Sequence, residues 1–253
     1  MPLTYARALT GRTRTPQANR QLGYALAFVA GAINAGGFLA VRQYTSHMTG
    51  IVSSMADNIA GGEPAVVLTG LGAVVSFLLG AAACAILINH ARRQRMQSEY
   101  ALPLLLEALL LLCFGLLGAR LSLIEGLFVP TTVMLLCFIM GLQNAVITKI
   151  SKAEIRTTHI TGIVTDLGIE LGKLVYWNAS SAHPQPPVRA DRSHLRVLTS
   201  LLACFFVGGA VGALGFKHLG YASTVPLALL LVALASVPAV DDLTALLRRW
   251  SKR

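Results

Sequence analysis

Charge is scarce in this chain. Aspartate, glutamate, lysine and arginine together make up 13% of its 253 residues, against roughly 25% in an ordinary soluble domain. A soluble fold of this length needs charge to cover its surface. With 55% apolar residues and a mean hydropathy of +0.64, the chain has too little. The shortage points to an integral membrane protein. Paired cysteines are missing too. Cys84, Cys113, Cys137 and Cys204 lie inside long apolar runs with no CxxC among them. They read as small buried hydrophobes, not as a zinc site or a disulfide framework. GxSxG, HExxH and Walker-type loops are absent as well, so no enzyme, cofactor or metal site is expected. Residues 1–20 are polar and carry four arginines, with no evident cleavable signal.

What the chain has is length of apolar run. Six stretches, roughly 22–41, 65–88, 101–123, 128–150, 195–216 and 222–240, approach or exceed the ~20 residues that a helix needs to cross a bilayer. A transmembrane β-barrel would alternate polarity in segments of ~10 residues; LLLEALLLLCFGLLG does not. The net charge of +10 follows orientation. Basic residues before the first span and after the second, fourth and sixth account for 18 of the 21, leaving Arg42, Arg120 and Lys217 for the other side. Positive-inside bias then puts both termini in the cytoplasm, and nucleic acid is not needed to explain the charge.

The chain also repeats itself. Gly31, Asn34 and Ala35 of GAINA match Gly141, Asn144 and Ala145 of GLQNA at an offset of 110. After a two-residue insertion, His47, Thr49, Gly50, Ile51 and Val52 match His159, Thr161, Gly162, Ile163 and Val164 at 112. VLTGLGAVVSFLLGA then resembles VLTSLLACFFVGGA, at a larger offset because of a polar linker, residues 178–194. Each copy holds three spans. Three is odd, so the second copy enters from the opposite side, which is an inverted-topology repeat. The expected fold is an all-α membrane protein of six helices: a basic segment 1–20, repeats 21–124 and 125–245, and a basic tail 246–253.

The repeated heptads SHMTGIV and THITGIV fall outside any full span. HMTGIVSSMADNIA covers only about 20 Å as a helix, too short to cross. HITGIVTDLGIELGKLVYW is longer but carries Asp166, Glu170 and Lys173. Both read as short helices, re-entrant or interfacial, the same choice applying to each copy. Ser46 or Thr49, and Thr158 or Thr161, could cap them. Gly50 and Gly162 would let another backbone approach. If both starts meet at mid-membrane, free N–H donors there would make a polar site.

GAINAGGFLAVRQYTSHMTG and MGLQNAVITKISKAEIRTTHITGIVTDLGIELGK resemble the YoaK-like family of bacterial inner-membrane proteins, over roughly residues 20–245. Many members of that family carry Asp where this chain has Asn34, and TGN where it has TGI. The resemblance implies a membrane location and no established substrate.

The site residues this reading singles out are Asn34, His47, Thr49, Gly50, Asn144, His159, Thr161 and Gly162, as a solute path. Asn34 and Asn144 could instead hydrogen-bond between helices, and the histidines could cap, gate or relay protons. Glu107 is either a functional membrane carboxyl or an interfacial partner of an arginine such as Arg95. Asp166 and Glu170 are secondary, with Glu170 and Lys173 expected to pair locally. Ala27, Gly31, Ala35, Gly208 and Gly212 suit close helix packing. The functional expectation is a small-solute transporter or channel, with a membrane scaffold or assembly factor as the alternative. Its partners would be the bilayer, an unidentified solute and, as an open question, further copies of itself.

Overall fold

A computed structural model describes residues 9–11, 14–121, 125–151, 157–177 and 187–250. The described residues are helical, with no strand among them. In chain order the helices are α1 (Pro16–Val41), α2 (Met48–Gly61), α3 (Pro64–Arg93), α4 (Ala101–Leu121), α5 (Glu125–Ser151), α6 (Ile160–Val175), α7 (Arg192–Leu219), the 3-10 turn Gly220–Ser223, and α8 (Thr224–Trp250).

The boundaries follow local chemistry. Thr15 accepts the Ala18 N–H at the start of α1, and Pro16 fills the first position, where no donor is lost. Arg42 ends the helix in the left-handed region, φ 57°, returning its N–H to the Phe38 carbonyl. Between α2 and α3, Gly62 turns at φ 76° and Pro64 opens the next helix. Asp191 caps α7 by accepting from Ser193 and His194 N–H.

Five stretches are long and apolar enough to cross a membrane: Pro16–Val41, Pro64–Arg93, Ala101–Gly118, Pro130–Ser151 and Arg192–Thr244. The last is 53 residues long, far more than one crossing needs, and the 3-10 turn divides it. Large apolar side chains face outward along these helices. Leu68 is 70% exposed and Ile86 67%, the pattern of a surface that meets lipid rather than water. The chain is a multi-pass helical membrane protein.

Packing pairs distant helices. α1 lies chiefly on α7, α3 on α5, and α4 on α8. Glycines set the first two contacts by letting backbones touch. A methyl added at Gly31 would sit 2.0 Å from the Phe205 carbonyl oxygen, and one at Gly208 would sit 2.0 Å from that of Phe28. On the other pair, Gly141 meets the Phe77 carbonyl and Gly80 that of Phe138, again at 2.0 Å. Gly31 and Phe28 become Gly141 and Phe138 at the offset of 110. Gly80 and Phe77 become Gly208 and Phe205 at 128. The two crossings are therefore the same contact made twice.

Of the segment before α1, expected as basic and cytoplasmic, the described residues 9–11 pack onto the bundle. Leu9 and Thr10 are buried. The Thr10 carbonyl accepts the Tyr100 N–H, and its hydroxyl donates to the Leu234 carbonyl at 2.9 Å. Pro238, four residues on in α8, has no N–H to offer that carbonyl, so Thr10 supplies the missing donor. Arg14 sits over the Tyr100 ring, 5.2 Å from its centroid. Burial lowers the Arg14 pKa to about 10 despite the raising influence of Tyr100 and Glu99. Asp242 of α8 closes the same end by accepting from the Gln97 and Ser98 N–H groups ahead of α4.

Candidate functional site

The sequence singles out two helix starts, and the fold builds them alike. Asn34 Oδ1 accepts from the Ser46 hydroxyl at 2.9 Å and from the Ser46 N–H at 3.3 Å. Asn144 Oδ1 accepts from the Thr158 hydroxyl at 2.6 Å, while its Nδ2 donates to the Met140 carbonyl. Ser46 and Thr158 are repeat equivalents, as are the asparagines. Each asparagine thus ties the residue ahead of a short helix's cap to the interior of a long helix.

This fixes how deep the short helices begin. α1 and α5 cross antiparallel, with Gln143 Nε2 donating to the Leu26 carbonyl and Gly37 packed on Leu136. Those registers put the crossing near Ala30 and Met140. Asn34 and Asn144 lie four residues past it in opposite directions, about 6 Å each at the helical rise. α1 runs on to Val41, and residues 42–47 then turn back to bring Ser46 to the level of Asn34. α2 folds as a hairpin on α3, with Met55 and Ile51 against Gly70. α6 packs on α7.

Four expectations need correction. The capping residues are His47 and His159, neither of which makes a side-chain cap bond; the hydroxyls of Ser46 and Thr158 are taken by the asparagines. Gly50 and Gly162 do not admit a foreign backbone. A methyl at Gly50 would meet the His47 ring at 2.1 Å, and one at Gly162 the His159 ring at 2.2 Å. Each imidazole folds over the glycine three residues on. The two starts are not packed on one another: α2 rests on α3 and α6 on α7, with no extensive packing between α2 and α6. Glu107 does not pair with Arg95. It is fully buried and both its oxygens lack a hydrogen-bond partner, while Arg92 takes up Glu99 at 2.9 Å.

Other expected residues stand apart from these starts or at their surface. Thr49, Thr161, His47 and His159 are exposed, as is Asp166. Glu170 pairs with Lys173 at 2.6 Å and also accepts the Asp191 N–H at 2.8 Å. These bonds, that from Lys173 first, lower its pKa. The basic residues of the tail and of 152–156 lie outside the described side chains.

A cleft of about 590 Å³ opens at the first start. It includes His47 and Gly50, with Arg42, Gln43, Tyr44, Ser54 and Thr69 as polar lining and Phe38, Val41 and Met55 as apolar lining. Phe38 and Tyr44 stack at 4.5 Å on one wall. Neither Asn34 nor any residue of the second copy lines it. Sequence reading passed over Arg42 and Tyr44; the one local signal was a lone arginine on the side poor in positive charge. Among the described residues, no group of three or more His, Cys, Asp or Glu side chains is placed to hold a metal ion.

The family model described as "Protein of unknown function (DUF1275)" matches residues 22–237. The chain belongs to this family. That span takes in both glycine crossings, both asparagine tethers and the cleft. No curated protein and no solved structure matches the chain. The family description assigns no activity, so function has to be argued from the geometry.

Proposed function

We propose that this protein carries a small solute across the bacterial inner membrane, as six transmembrane helices arranged in two inverted repeats of three. On this reading α7 and α8 cross separately, the two short helices re-enter from opposite faces, and both termini are cytoplasmic. The doubled glycine crossings and the doubled asparagine tethers support the repeat. The 18-to-3 division of basic residues supports the orientation. It is a carrier or pore, not an enzyme.

The observation that carries transport is the cleft. It is open, lies beside a helix start held below the end of α1, and combines a guanidinium, hydroxyls and an aromatic wall. A packing scaffold has no need of such a vestibule. The scaffold reading has one observation in its favour: α1 on α7 and α3 on α5 are in backbone contact, and the asparagines are spent on tethering.

Flux decides between them. Purified protein in proteoliposomes should move at least one of a panel of small anions, cations and neutral metabolites above protein-free vesicles. Thr69→Trp, which fills the cleft from α3, should cut that flux severalfold while the protein stays monodisperse. Flux of nothing in the panel, or flux indifferent to Thr69→Trp, would speak for the scaffold.

A further inference from the structure

Glu107 is a buried carboxyl that neither repeat motif explains. It sits in the second turn of α4 with 0% exposure, and neither oxygen has a hydrogen-bond partner. Its helix neighbours Leu104, Ala108 and Leu111 are buried and apolar. Cys84 of α3 is within electrostatic range, and Lys149 of α5 lies within range of that same cysteine. No ion pair reaches Glu107 from either. α8 offers no titratable group from Thr224 to Val240, and α1 none between Tyr24 and Val41.

The fold does not ask for a carboxyl here. LPLLLEALLLL, residues 102–112, resembles VPLALLLVALA, residues 225–235, with Pro103 on Pro226 and Leu104 on Leu227. Leu230 then stands where the first copy has Glu107. A leucine serves the matched position, yet the first copy keeps an acid, a group costly to hold charged inside a membrane. An isolated carboxylate in such surroundings takes up a proton rather than remain ionised.

Access is closed at the nearer end. Thr10 bridges the Tyr100 N–H and the Leu234 carbonyl, and Asp242 holds the Gln97 and Ser98 N–H groups. Both closures lie between the end of the bundle and the level of Glu107. A proton that leaves that carboxyl toward this end has to pass both.

We propose that Glu107 is a proton-binding site inside the membrane, and that its proton is the coupling ion of the carrier. The coupling half rests on the transport reading above; the protonated state does not. A neutral membrane carboxyl can be trapped with dicyclohexylcarbodiimide. The acid proton passes to a carbodiimide nitrogen, the carboxylate oxygen bonds to the central carbon, and an acyl shift to nitrogen leaves a stable N-acylurea. Full-chain protein in proteoliposomes should be modified at Glu107, read by peptide mass spectrometry, with at least tenfold less on that peptide in Glu107→Gln. A water-soluble carbodiimide with an added amine should label exposed Glu63 and leave Glu107 untouched. Glu107→Gln keeps the shape and a neutral head group, so it should fold. A carbonyl stretch of a protonated acid, present in wild type and missing from Glu107→Gln, checks the protonation without any reagent. Uptake driven by a pH gradient should fall at least tenfold in that variant.

No modification at Glu107 in folded wild-type protein, or labelling by the water-soluble reagent, overturns the proton site. Modification with gradient-driven uptake unchanged in Glu107→Gln overturns the coupling. Wild-type protein that moves no solute sinks the transport reading, while labelling still judges the proton site.

Discussion

At the residue scale, the asparagines act as acceptors that anchor helix starts. The role needs oxygen rather than amide nitrogen, at least at Asn34, where both bonds converge on Oδ1. Asn34→Leu should loosen α2, at a cost near the ~0.6 kcal/mol average for hydrogen bonds between membrane helices, read as faster hydrogen exchange across Met48–Gly61. Asn34→Asp keeps the acceptor and should exchange more slowly than Asn34→Leu. Asn144→Leu should do to α6 what Asn34→Leu does to α2. The two asparagines were legible in the sequence, but their partners were not. The Asn34 bond closes over 12 residues and the Asn144 bond over 14, through loops with no periodicity to read. The two-residue difference is the same insertion that separates the offsets 110 and 112. The imidazole folded over Gly50 and over Gly162 was also missed. A glycine beside a helix start reads equally as room for a backbone or for a ring.

At the scale of elements, the apolar runs announced the long helices, and the Thr-Gly repeat announced the short ones. The pairing of α1 with α7 and of α3 with α5 was written in Gly31, Gly80, Gly141 and Gly208, but spacing names a packing face and not its partner. Alanine at any of these four would drive a methyl into a carbonyl oxygen. Each should lower the detergent melting temperature, by ~1–3 kcal/mol of overpacking, with Gly31 and Gly141 similar because their contacts are equivalent. Gly168→Ala and Gly172→Ala have nothing within 4 Å and should be neutral or slightly stabilising.

The Thr10 contact gives a sharper test of the same kind. Thr10→Val should cost ~0.5–1.5 kcal/mol. In a Pro238→Ala background the regained backbone N–H satisfies Leu234, and the same change should cost much less. At the α6–α7 junction, hydrogen bonds from His194 and Ser193 lower the Asp191 pKa, and those from Lys173 and the Asp191 amide lower that of Glu170. A lowered carboxyl stabilises the fold above its unfolded pKa, about 4, and loses that contribution as pH falls through the folded value. The junction should therefore hold at neutral pH and loosen only in acid below about pH 4, with Glu170→Gln flattening the dependence, followed by cleavage in the 178–190 linker.

For the whole molecule, the account turns on the two short helices entering from opposite sides. The asparagine tethers and glycine crossings are each made twice, and three long helices per copy would reverse the second copy. The most direct measurement is thiol accessibility across the membrane, in protein whose half-buried Cys113 and Cys204 are replaced by alanine. Ser54→Cys on α2 and Thr165→Cys on α6, both at exposed positions, would be treated with an impermeant maleimide in right-side-out and inside-out vesicles. The account predicts that Ser54→Cys reacts only from the periplasmic face and Thr165→Cys only from the cytoplasmic face. Reaction of both from one face would contradict the inverted repeat, and with it the carrier built on it.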